Sequence, residues 1–232
     1  MKREGLVSFE VRHKETDLFI LAKRDLAKEV SSWIIEARAA IEEYAMLHPG
    51  FLESLIPYPD DNLAPEPVKQ MLKASKMANV GPMAAVAGAI SEFVAQKILD
   101  IFHGEVIVEN GGDIALYLEQ PIVIGIYAGN SPFSNKIGIK LEPMDSLFAI
   151  CTSSGTVGHS KSFGKADAVT VIAKSASFAD ALATAIGNKV LSKYDIDPCI
   201  KEMQKYSQDV LGGVIIKADA IGAFGRLELV PL

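Results

Sequence analysis

Residues 149–188 read AICTSSGTVGHSKSFGKADAVTVIAKSASFADALATAIGN, and three kinds of local pattern follow one another there. A run rich in hydroxyl groups and glycine comes first, then the β-branched apolar run Val169-Thr170-Val171, then a small-residue stretch of helical character. In that last stretch Ala179, Ala181, Leu182, Ala183, Ala185 and Ile186 cover nearly every direction around a helix axis. A helix apolar all round is normally surrounded by protein. The exceptions, Asp180, Thr184 and Asn188, recur at i, i+4 and i+8 and so stack in one stripe. A polar stripe on a buried helix needs hydrogen-bond partners, an ion or a ligand, because unpaired buried polar groups are costly. Chemistry is expected where that stripe faces.

Outward from this segment, residues 105–109, 113–118, 121–127, 136–141, 147–151 and 168–174 read as strands. The small-residue helix is expected over 178–192, a short helix over 198–207, and two closing strands over 213–218 and 224–230. At the front, 6–12 and 17–22 flank His13-Lys14-Glu15-Thr16 as a hairpin. Leu26, Val30, Trp33, Ile34, Ala37, Ile41 and Tyr44 then follow the helical period until Pro49-Gly50. Residues 51–65 read as a surface loop, and Pro67 suits the first turn of a short helix running to Met77. A long helix over 83–102 carries Gly88, whose poor helix propensity predicts a close contact. Helices and strands come in blocks, which predicts an α+β fold with mostly antiparallel sheets packed with helices. The 232 residues suit a single domain, or two intertwined lobes, the first helical over residues 1–104 and the second strand-rich over residues 105–232.

Composition narrows the partners. Lys and Arg number 23 against 29 Asp and Glu, for a net charge of −6, and no basic cluster stands out. Nucleic acid and anionic membranes are therefore not expected as partners. Cys151 and Cys199 offer neither a disulfide framework nor ligand spacing. The charged N-terminus lacks a signal-peptide pattern, and the most apolar stretch, 80–102, is interrupted by Glu92, Lys97 and Asp100. A soluble cytoplasmic protein is expected, with a homodimer suggested by apolar edge-strand material over 121–133.

Each polar constellation has a functional and a purely structural reading. Asp180 and Thr184 offer a hard cation a carboxylate and a hydroxyl one turn apart. Equally, Ser177-Phe178-Ala179-Asp180 fits a capping box with Ser177 as N-cap. Asn110-Gly111-Gly112-Asp113 is a strong tight-turn signal, and its two glycines also permit close approach of backbone to a ligand beside Asp113. Thr152, Ser153, Ser154, Gly155, Thr156 and Ser160 could form an oxyanion-holding nest or a polar loop. His159, beside that loop, is a candidate acid/base or a hydrogen-bonded structural histidine. A serine-hydrolase elbow is not supported, because Ser162 stands where the second glycine is needed. Cys151 reads as core.

Taken together and in order, Asn110-Gly111-Gly112-Asp113-Ile114, Thr152-Ser153-Ser154-Gly155, Val169-Thr170-Val171 and 179–185 resemble the FAD:protein FMN transferases of the ApbE type. Residues 81–90 resemble that family's glycine-containing helix. The match spans roughly 81–188, and the ends resemble a smaller cytoplasmic branch. The resemblance implies an ApbE-like architecture. It implies Mg2+ (or Mn2+) held by Asp180, Thr184 and the carbonyl of Ala84. It also implies a flavin nucleotide, the dinucleotide FAD or the mononucleotide FMN, over Gly111, Gly112 and the 152–155 loop. Two departures stand out. Ala87 replaces the lysine of the family's Lys-Gly pair, and the family's His-x-x-Asp-Pro segment is absent. The expected function is a metal-dependent transferase or hydrolase acting on a flavin or another phosphorylated, nucleotide-like small molecule. The alternative is a binding protein that keeps the pocket without FMN transfer.

Overall fold

The structure is a computed structural model describing residues 3–155 and 164–232. It opens with the hairpin β1 (Val7–His13) and β2 (Thr16–Ala22), closed by His13 paired with Thr16 and by Lys14 at φ 53°. Next come α1 (Ala27–Leu47), α2 (Glu66–Ala78), a 3-10 turn (Pro82–Ala85) and α3 (Val86–Ile101). The strand block follows as β3 (Val106–Asn110), β4 (Asp113–Tyr117), β5 (Ile122–Gly125), β6 (Ile137–Leu141), β7 (Phe148–Ser153) and β8 (Ala168–Ala173). Then come α4 (Ala176–Gly187), α5 (Ile196–Gln204), β9 (Val210–Lys217), β10 (Ala220–Gly225) and β11 (Glu228–Pro231).

Eight strands form one sheet in the order β1-β2-β3-β4-β7-β8-β9-β10, and β11-β6-β5 form a second. Pairings among the described residues are antiparallel, as the block pattern predicts. Alternation of side chains along each strand divides the core in two. On one face of the large sheet Ala115, Ala149, Cys151, Val169 and Val171 meet the helices through Val94, Leu182 and Ile186. On the other, Ile114, Leu116, Ile150, Ile172 and Ile216 meet Ile122, Ile139 and Leu141 of the small sheet.

The structure departs from the expected elements at three places. The chain ends in three strands rather than two, because Ala218 at φ 53° turns β9 back into β10. The helix expected over 178–192 runs over Ala176–Gly187. Phe51 starts the expected surface loop but is fully buried, edge-on against Tyr44 and Tyr58. Among the described residues no single helix is long and apolar enough to cross a membrane.

Candidate functional site

The crossing of α3 and α4 sets the geometry. Gly88 is required there: a Cβ would lie 2.3 Å from the carbonyl oxygen of Ala176 and 2.9 Å from the Cβ of Asp180. That closeness lets the Gly88 N–H donate to Asp180 Oδ2 at 2.9 Å, and the Ala87 N–H also donates to this carboxylate. The first turn of α3 has no side-chain cap of its own, so Asp180 satisfies N–H groups that would otherwise be orphaned. Its carboxylate also suits the positive end of that helix.

The capping box expected at Ser177 is not what forms. Ser175 is the N-cap of α4, its hydroxyl accepting from Phe178 N–H at 3.4 Å, and Asp180 faces α3 instead. Ser177 is fully buried and donates to Glu92. Asp180 lies too far into α4 to serve its first turn, whereas the open N-terminus of α3 lies directly across from it.

The β3–β4 turn approaches from the side. Asn110 pairs with Asp113 across a two-residue turn, with Gly111 at φ 63° and Gly112 at φ 104°, the left-handed pair that a tight hairpin needs. The Asn110 side-chain amide donates to the Ala87 carbonyl at 3.1 Å and so fastens the turn to α3. Sequence reading treats Asn110 as a turn residue only; this second bond bridges 23 positions and leaves no local pattern.

Asp113 stands in register with Cys151 of β7 on the helix-facing side of the sheet and is buried. The neighbouring Cys151 side chain and Thr152 backbone pull its pKa down, yet burial first, and the nearby Asp180 second, push it well above the usual carboxylate range. Burial likewise lifts Asp180, to about 7, against the pull of the Ala87 and Gly88 N–H groups. None of the ion pairs among the described residues includes either aspartate. Burial also raises the Cys151 thiol, which donates to the Ala176 carbonyl at 3.4 Å and reads as core rather than nucleophile.

The other expected residues fall around this centre in different ways. Thr184, half-buried, lies one turn along α4 from Asp180. Ala84 sits in the 3-10 turn that leads into α3, and that turn packs against α4. Ser153 faces the end of α4, where a Cβ on Gly187 would lie 3.6 Å from its hydroxyl oxygen. Thr152 takes the opposite face of the sheet, because adjacent strand residues alternate. Its hydroxyl bonds that of Thr170 at 2.9 Å, so Thr152 and Ser153 cannot present their hydroxyls to one ligand from the same side. Ser154 and Gly155 complete the strand exit, with Gly155 N–H donating to the Ala166 carbonyl at 2.9 Å. Thr156, His159 and Ser160 lie outside the described residues.

Together these elements bring two buried carboxylates, Asp113 and Asp180, close to the start of α3 and the β3–β4 turn. Among the described residues no group of three or more His, Cys, Asp or Glu side chains is placed to hold a metal. Two neighbouring carboxylates, with the Thr184 hydroxyl one turn along α4, are nevertheless oxygen donors of the kind a hard cation takes together with waters and ligand oxygens. Two buried acids with no ion pair among the described residues are the chemistry such an ion would relieve.

Comparison with known proteins agrees with this architecture. The family described as AbpE bacteria matches residues 1–210. The UPF0280 protein of Methanococcus vannielii is 47% identical over 204 residues, 86% of this chain and 83% of that one. Its counterpart in Archaeoglobus fulgidus is 40% identical over 223 residues, 94% and 92% of the two chains. Among solved structures, the ApbE protein of Thermotoga maritima superposes with a TM-score of 0.60 at 14% identity, over 94% of this chain and 96% of that one. The apo flavinyl transferase ApbE of Pseudomonas stutzeri gives 0.54 at 14% identity, over 94% and 93%. At such identity the likeness speaks for the fold alone. The extent of the family match and the identity to these relatives establish that the chain belongs to the AbpE bacteria family, with an ApbE-like α+β fold.

Proposed function

We propose that this chain acts on a flavin or another phosphorylated, nucleotide-like small molecule, as a transferase or hydrolase that uses a divalent cation, Mg2+ or Mn2+. The observation that carries the reading is the buried pair Asp113 and Asp180, both destabilised as anions and neither ion-paired among the described residues. Asp180, Thr184 and the Ala84 carbonyl would hold the cation, and Gly111 and Gly112 would let backbone approach the ligand. The flavinyl transferase activity named for the Pseudomonas stutzeri neighbour supports the flavin.

When bound, the cation supplies positive charge to phosphoryl oxygens as their negative charge builds up. The chain's own residues bind and orient: the α3 N-terminus fixes the Asp180 carboxylate, and the β3–β4 turn fixes Asp113 beside it. A binding-only role is favoured by one observation: among the described residues no Lys, Arg or His is ion-paired with either carboxylate.

Incubation with FAD and MgCl2, followed by chromatography for FMN and AMP, separates the two. Product that disappears in Asp180→Asn supports catalysis. Saturable FAD binding without product leaves the binding role, and neither binding nor turnover by the folded protein ends the proposal.

A further inference from the structure

Glu92 stands outside the site, yet its carboxylate bonds the start of the helix that carries the site's polar stripe. One of its oxygens, Oε2, accepts from the Ser175 hydroxyl at 2.9 Å, the Ser177 N–H at 3.0 Å and the Ser177 hydroxyl at 3.1 Å. A carboxylate at that position also meets the positive end of α4. Glu92 lies four residues after Gly88, so both occupy one face of α3. Gly88 touches α4 at Ala176 and Asp180, and Glu92 touches it at 175 and 177.

The arrangement is reciprocal. Asp180 of α4 takes N–H groups from the first turn of α3, and Glu92 of α3 takes one from the first turn of α4. Two such bonds running in opposite senses oppose both rotation and sliding of one helix on the other. The small residues at the crossing, Gly88 and Ala176, leave little side-chain bulk to do so.

We propose that Glu92 is a positioning residue: by fastening the N-terminus of α4 it sets the orientation of Asp180 and Thr184 toward α3 and the ligand. This rests on the reading that Asp180 and Thr184 hold a cation. Glu92 touches no ligand, and its effect passes through α4.

The test uses the full chain with Glu92→Gln, which keeps an acceptor oxygen but loses the charge, and Glu92→Asp, which keeps the charge on a shorter arm. Two measurements are made on the folded proteins. Amide exchange at Ala87 and Gly88 without ligand reports the grip of Asp180 on α3, and titration with Mn2+ alone, followed by electron paramagnetic resonance, reports the cation site. Glu92→Gln should exchange at Gly88 about tenfold faster than the parent. Its Mn2+ affinity should fall about 10- to 100-fold, as for other groups that orient ligands, with Glu92→Asp in between.

Lowered melting temperature with unchanged Gly88 exchange and unchanged Mn2+ affinity means that Glu92 only stabilises α4, and overturns the proposal. Should the parent take up no Mn2+, the cation reading fails, while Gly88 exchange still decides whether Glu92 positions Asp180. If Glu92→Gln does not fold, Ser177→Ala removes one of the three bonds, leaves the carboxylate in place, and answers the same two measurements.

Discussion

Asp180 serves two ends with one carboxylate. Its bonds to the first turn of α3 favour the ionised form, and its burial opposes it more strongly. The net rise, from the ordinary aspartate value of 3.8 to about 7, fixes the sign of a pH effect. An acid whose folded-state pKa is raised keeps its proton in the native protein at a pH where the unfolded chain has already released it. Stability from this group is therefore lost as pH rises from about 4 to about 7, and the loss is complete above that window. Asp113 shifts in the same direction. Asp180→Asn removes this titration and keeps an oxygen for the Gly88 N–H. Without ligand, the parent should lose melting temperature relative to Asp180→Asn as pH rises through this range; parallel profiles would mean that the acid is not desolvated. None of this could be read from spacing. The i, i+4 stripe draws attention to Asp180, but the Gly88 N–H that meets it lies 92 positions away. Thr152 and Ser153 look equivalent in a hydroxyl-rich run, and only the strand register separates them onto opposite faces.

At the scale of elements, Gly88 shows a close packing requirement overriding local propensity. In an isolated helix, alanine there would be favoured over glycine by about 1 kcal/mol. In this protein its Cβ would meet the Ala176 carbonyl at 2.3 Å, and backbone cannot swing aside as a side-chain tip can. Forced overpacking costs about 1–3 kcal/mol. Gly88→Ala should therefore lower the urea midpoint with an unchanged slope, and an equal or higher midpoint would show that α3 and α4 are not in such close contact. This requirement was legible: a glycine inside an otherwise apolar helix predicts a neighbour at close range. The tight turn at 110–113 was legible for the same kind of reason, since Asn-Gly between apolar runs leaves few alternatives. The cap of α4 was not. Ser175 and Ser177 stand two apart, each able to begin a helix, and both bond Glu92 of α3, 83 and 85 positions away, a partner that no local pattern reveals.

Across the whole molecule, the candidate site gathers the 3-10 turn Pro82–Ala85, the start of α3, the β3–β4 turn, the end of β7 and α4. These segments span about 100 residues of chain and belong to the helix-side core, so a ligand that bridges them ties together much of the folding unit. Block order was enough to foresee antiparallel sheets with helices. It did not foresee that the first hairpin joins β3, so that strands from both ends of the chain share one sheet. A ligand that binds only the native state stabilises it by about 2.7 kcal/mol at a hundredfold excess over its dissociation constant. For a domain of this size each kcal/mol moves the melting temperature by about 2–4 °C, so the expected rise is about 5–10 °C. The rise should require FAD and Mg2+ together, because each relieves the charge that opposes the other. It should also be larger at pH 8 than at pH 6, because the cation needs Asp180 ionised and that carboxyl holds its proton up to about 7. A shift given by FAD alone, unchanged in Asp180→Asn and independent of pH, would place the ligand elsewhere on the molecule.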